Sequence, residues 1–198
     1  MTALTLRIIR DEHHALAAML RTIPLLLAQH RQQGSRPDFD ALRAMLFYVD
    51  EFPERLHHPK ESELLFPKLR ARAPQSRELL DRLDGDHGRG ERAVRELQHR
   101  LLAFELLGEP RRAAFEQAAQ RYVDAYLQHM ALEEREVLPL AEQVLGPQDW
   151  AELDEAFASN RDPLTGHVPD AEYQALFTRI LNLVPAPLGL GPAQAAGA

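Results

Sequence analysis

The chain has 198 residues, of which 45% are hydrophobic and 27% charged, with a formal net charge of −7. That length and balance suit one soluble domain, or one domain with an appendage, able to bury a real core. No basic block marks a nucleic-acid partner, and the lack of cysteine excludes disulfides, thiolate zinc sites, iron–sulfur clusters and thiol nucleophiles. The opening stretch MTALTLRIIRDEHH is broken by Arg7, Arg10, Asp11 and Glu12, so it does not read as a secretory leader. The longest apolar runs fall far short of a membrane span. A cytoplasmic protein with no membrane association is expected.

Helix formers (Leu, Ala, Arg, Glu and Gln) recur throughout, and β-branched residues are scarce. Turn signals then divide the chain at GSRPD (34–38), ARAPQ (71–75), LGEPR (107–111) and LGPQD (145–149). They predict four helices, over 5–33, 38–71, 75–107 and 110–144, with Asp38 placed to cap the second. Short connections make successive helices antiparallel, so residues 1–145 are expected to form an all-α, up-down-up-down four-helix bundle. Residues 146–198 read as a C-terminal helical extension with a flexible tail. Within it, a short helix is expected from Pro147 to Ala158 and a loop over 159–170. Asp170 is then expected to cap a helix reaching Val184, followed by the tail PAPLGLGPAQAAGA.

Four of the nine histidines fall one to each bundle helix: His13, His57, His87 and His129. The midpoints between successive members are residues 35, 72 and 108, and each falls in a turn segment. An antiparallel chain leaves a level and returns to it after equal lengths of helix, so the four histidines share one height. They also face inward. Leu6, Ile9, Leu16 and Leu20 put His13 on the apolar face of its helix, whereas His14 shares a face with Arg10 and Arg21. Leu80, Leu83, Val94 and Leu97 do the same for His87, and Tyr122, Tyr126, Val137 and Leu140 for His129. In the second helix His57 continues Leu46, Val49 and Pro53 toward Leu64, while its neighbour His58 lines up with Phe47, Leu65 and Leu69. His58, with His30, His99 and His167, is read as lying at the surface or behind the inward group.

His57 and His129 each carry a glutamate one turn later, Glu61 and Glu133. Side chains at i and i+4 lie over one another, so each pair can present a nitrogen and a carboxylate to one point. A lone buried histidine is usually a hydrogen-bonded core residue. Four at one height with two carboxylates differ, because buried carboxylates are costly unless something positive compensates them, and no lysine or arginine is placed to do so. The pattern points to a metal cluster in the bundle interior.

At these residues the chain resembles the hemerythrin-like, or HHE cation-binding, family, through DEHHALAAML, HHPKESELLFPKL, GDHGRGE and HMALEEREVLP. The resemblance covers residues 5–144 and implies a four-helix bundle holding two non-haem iron ions. By position it implies His13, His57, Glu61, His87, His129 and Glu133 as ligands, with the glutamates bridging. Pro59 is expected to bend or bulge the helix at that turn. Oxygen-carrying members have a further histidine in the third helix where this chain has Glu91, and an aspartate in the fourth where it has Glu133. Reversible oxygen carriage is therefore not the expectation. The first reading is a binding protein for dioxygen or a related small species, serving sensing, buffering or storage. The alternative is an enzyme using the same centre, a peroxidase or catalase-like detoxifier or a nitric oxide reductase. Imidazole and carboxylate donors also suit manganese and zinc.

The two adjacent histidines of the first helix separate the inward face from the outward one. His13→Ala is expected to lower bound metal markedly and His14→Ala to leave it unchanged, read by metal quantification per folded chain. Equal losses would place the wrong face inside.

Overall fold

The computed structural model describes residues 3–183. Helix α1, Leu4–Gln32, buries a broad stripe that includes Leu6, Ile9, Leu16, Met19, Leu20 and Ile23. It ends at Gly34, whose φ of +63° is the left-handed conformation in which glycine replaces other residues without strain. Asp38 then caps the second helix by accepting from the Ala41 amide at 2.9 Å. That helix, α2, spans residues 39–72. It is α-helical over Phe39–Glu51 and π-helical over Pro53–His57 and again over Glu61–Leu65, then α-helical over Phe66–Arg72. Helix α3, Arg77–Leu107, closes on Gly108, where φ is +76° and the chain reverses. Helix α4, residues 109–144, carries its own π-helical turn at Glu133–Val137. The four expected spans are all present, and no strand interrupts them among the described residues.

The π-helical turns explain an ambiguity in the sequence. An α-helix drifts by about 40° with every four-residue step, so residues spaced strictly by four leave the inner face. Here His57, Glu61, Leu65 and Leu69 are all buried, as are His129, Glu133, Val137 and Ala141. The widened turn after each glutamate takes up the drift. Leu64, expected on the inner face with His57, is instead 37% exposed, while Leu65 is fully buried. In both helices a proline follows the glutamate by six residues, Pro67 and Pro139, where the α-helix resumes.

The apolar core comes in two clusters. One holds Met19, Leu20, Met45, Val49, Leu101 and Phe115, and the other holds Leu6, Ile9, Phe66, Leu83, Leu138 and Phe157. On every bundle helix the boundary between the clusters falls at the histidine level: His13, His57–Glu61, His87 and His129–Glu133. The polar layer therefore lies across the middle of the bundle with apolar packing on either side.

Beyond the bundle, helix α5 (Pro147–Ala158) buries Leu153 and Phe157 in the second cluster. Its Asp154 accepts from the backbone amide and the hydroxyl of Thr5, at 2.7 and 2.6 Å, which satisfies donors in the first turn of α1. The expected loop over 159–170 contains one 3₁₀ turn, Pro163–Thr165. Asp170 does not cap a helix with its side chain. It precedes a 3₁₀ turn, Ala171–Tyr173, and helix α6 starts at Gln174 and runs to Leu183. The expected end at Val184 and the tail lie outside the described residues. Phe177 of α6 packs edge-on against Tyr48 and Phe52 of α2, with ring centroids 5.8 and 5.3 Å apart.

Phe115 is fully buried in the first cluster, beside Phe104. Phe115→Ala is expected to cost about 3–5 kcal/mol of stability in denaturant unfolding, with metal per folded chain unchanged. A loss of metal as well would mean that this half of the core and the polar layer are mechanically coupled.

Candidate metal centre

All six residues expected inside are buried, at one level and pointing at one another. Glu61, 1% exposed, sets Oε1 3.2 Å from His57 Nε2 and Oε2 3.5 Å from His87 Nε2. Glu133, equally buried, sets Oε2 3.4 Å from His13 Nε2, and Oε1 3.2 Å from His129 Nε2 and 3.7 Å from His87 Nε2. Each carboxylate thus reaches from the pair His13 and His57 at one end to the pair His87 and His129 at the other.

Among the described residues, none donates a hydrogen bond to these four carboxylate oxygens, and His57 Nε2 makes none either. Buried polar atoms are almost always partnered, and charged ones especially. Here they are left facing shared points instead. One donor set comprises His13, His57 and Glu61, and another His58, Glu61, His87 and His129; within each, the donor atoms lie within 4.8 Å of one another. Imidazole nitrogens and carboxylate oxygens gathered in this way suit metal-ion binding.

The outer nitrogens of the rings fix this aim. Glu12 Oε2 accepts from His57 Nδ1 at 2.6 Å and Glu134 Oε1 from His13 Nδ1 at 3.1 Å. Ser62 Oγ lies 2.8 Å from His87 Nδ1. A proton held on Nδ1 leaves the Nε2 lone pair for the interior, the usual arrangement behind a metal-binding imidazole. His129 is the exception, with Asp86 Oδ2 at 3.8 Å and no hydrogen bond to Nδ1.

His58 lies inside rather than at the surface. It is 6% exposed and stacks on the His87 ring at 4.0 Å. Its Nδ1 pairs with Glu54 Oε2 and its Nε2 with the Tyr126 hydroxyl, both at 3.0 Å, and Tyr122 donates to Glu54 Oε1 at 3.3 Å. Gly90 makes room for this chain: a Cβ there would come within 2.9 Å of Glu54 Oε1. Glu12 and Glu54 were not singled out in the sequence. Glu12 continues through Leu16, Met19 and Ile23 on the buried side of α1, and Glu54 stands one turn before His58. Those spacings are the signal that could have found them. Glu91 is exposed and pairs with Arg95 at 2.7 Å. His14, His99 and His167 are exposed, and His30 bonds Ser35 at 2.8 Å.

Burial works against protonating His57, but the Glu61 charge and the Glu12 bond outweigh it and hold its pKa well above the ordinary histidine value. His129 is raised against burial in the same way by Glu133. Burial, and then the neighbouring His87, His57 and His129, lower His58 well below that value. Glu133 is pulled well below the carboxylate range because its histidines, His129 foremost, overcome burial. Glu54 goes the other way, raised by burial to about 7 although Tyr122 and Tyr126 oppose it.

The raised His57 and His129 give the metal-free chain stability that is complete below about pH 6.5 and lost as pH rises through their shifted values. Glu133 gives stability that is complete above about pH 4.3 and lost on acidification. Chelator-treated protein is therefore expected to melt highest between these ranges. Cations require neutral imidazoles, so metal loading at neutral pH should release protons and preserve the melting temperature into the alkaline range. Thermal melts from about pH 4 to 9, with and without chelator, check this; parallel curves would contradict it.

Comparison with known families matches residues 4–141 to the hemerythrin HHE cation binding domain. No curated protein and no solved structure matches the chain. The family match spans well over half of the sequence and contains every member of the polar layer. The chain belongs to the hemerythrin HHE cation-binding domain family.

Proposed function

We propose that His13, His57, Glu61, His87, His129 and Glu133 hold two iron ions bridged by the two glutamates. We further propose that the centre binds dioxygen or a related small species for sensing, buffering or storage. The observation that carries this reading is the two-ended reach of both carboxylates, with four buried oxygens accepting no hydrogen bond from any described residue. Iron, unlike zinc, changes valence and takes up oxygen or nitrogen oxides at an open coordination position.

The residues around the layer favour a very small guest. A cavity of about 20 Å³ lies beside His13 and His57, lined by Leu16, Phe52, Leu56 and Met130. That is room for one molecule the size of water or dioxygen, with Glu12, Tyr48, His58, Tyr126 and Asn160 also bordering it.

The enzyme reading has its own support at the other end. A cleft of about 310 Å³ reaches His58, His87 and His129 from outside, past Tyr122 and Tyr126. Along its inner wall Tyr126 Oη and His58 Nε2 share a hydrogen bond, and His58 continues to Glu54. This chain can hold and pass a proton beside the centre, as a peroxidase, catalase-like enzyme or nitric oxide reductase requires.

Anaerobic loading with ferrous iron, followed by metal quantification and optical spectra on adding oxygen, peroxide or nitric oxide, decides between the two. Two irons per chain and a spectral change without sustained consumption are expected. Sustained consumption of peroxide or nitric oxide would establish the enzyme. Protein that takes up no iron and carries manganese or zinc as isolated would overturn the iron assignment.

A further inference from the structure

Asn160 lies just past the end of α5, outside the family match, and is only 5% exposed. Both ends of its amide are engaged. Lys60 donates to Oδ1, and Nδ2 donates to Glu12 Oε2 at 2.9 Å. That same Glu12 oxygen accepts from His57 Nδ1 at 2.6 Å. Lys60 sits between His57 and Glu61 in α2 and also donates to Ser159 Oγ at 2.9 Å. One side chain of the extension therefore ties α1 to the turn of α2 that carries two of the six buried donors.

The surrounding loop holds Asn160 in place. The next residue, Arg161, has a φ of +46°, a conformation that residues other than glycine seldom adopt. Asp162 then turns inward, accepting from the Tyr48 hydroxyl at 2.5 Å and from the Leu164 amide at 2.8 Å. A strained residue between two buried polar anchors persists because the anchors over-determine it. On the other flank, Phe157 of α5 meets the His57 ring edge-on at 5.9 Å.

We propose that the C-terminal extension is a working part of the metal centre: through Asn160 it fixes Glu12 on His57 and so sets the affinity for the cation at the His13–His57 end. The inference rests on the reading that the six buried residues hold two cations. Glu12 fixes the proton on Nδ1, aims Nε2 inward and makes that nitrogen a stronger donor. Asn160 keeps the Glu12 carboxylate from turning away. Asn160 is thus a positioning residue that acts through two others.

The test is anaerobic titration of the full chain with ferrous iron against a competing chelator, giving stepwise affinities for two ions. Asn160→Ala is expected to weaken one ion by about 10–100-fold, the usual effect of removing a partner behind a metal-bound histidine, and to change the other by less than about threefold. Asn160→Asp keeps the Lys60 contact but cannot donate to an ionised Glu12, and should show the same selective loss. Glu12→Ala should weaken the same ion, and adding Asn160→Ala to it should cost nothing further. Asp154→Ala loosens α5 at Thr5 without touching Glu12, and should leave both affinities unchanged. Wild-type affinities in both Asn160 variants, equal weakening of both ions, or additivity with Glu12→Ala would overturn the proposal while leaving the metal reading intact. A wild-type chain that binds fewer than two ions would overturn both.

Discussion

Two carboxylates with almost no exposure, set among imidazoles midway along an apolar core, impose the constraint that the rest of the structure answers. An ionised carboxylate withdrawn from water must find positive charge or hydrogen-bond donors, or it neutralises. Among the described residues, Glu61 and Glu133 find neither a lysine, an arginine nor a backbone amide, only imidazole nitrogens arranged around them. This choice makes the layer responsive. Imidazoles hold protons or give them up near neutral pH, and can exchange them for cations, whereas a guanidinium would have sealed the site permanently.

Bringing six side chains from four helices to one level requires departures from regular helix. The widened turns after Glu61 and Glu133 are those departures, and they occur at corresponding places in α2 and α4. Each keeps a histidine, a glutamate and two apolar residues on one face at four-residue spacing, which an unbroken α-helix does not sustain. The apolar clusters on both sides then lock the registers. Local distortion and global packing serve the same end here, which is the aim of two carboxylates.

Much of this was legible in the sequence, for identifiable reasons. Helix ends follow from turn chemistry at 34–38, 71–75 and 107–111, and the common height of His13, His57, His87 and His129 follows from equal spacing about those turns. What was not legible depends on departures from 3.6-residue periodicity and on contacts between distant segments. A fixed period forces a choice between His57 and His58, in phase with Leu64 and Leu65 respectively, and the π-helical turn removes the need to choose. Glu12, Glu54 and Asn160 were not singled out: Glu12 meets His57 of α2 and Asn160 of the extension, and Glu54, one turn before His58, also accepts from Tyr122 of α4. Asp170 had the right residue type for a cap, but the chain winds through a 3₁₀ turn first.

The layer lies at matching distances from three chain reversals, so the bundle helices act as rulers. One residue inserted between a turn and the layer would rotate everything beyond it by about 100° and advance it by about 1.5 Å, swinging a histidine toward the next face. The same insertion at Gly34, Ala73 or Gly108 lengthens a loop and leaves the rulers untouched. Changes in chain length are thus confined to the reversals, and within the helices this protein can vary its residues far more freely than their number.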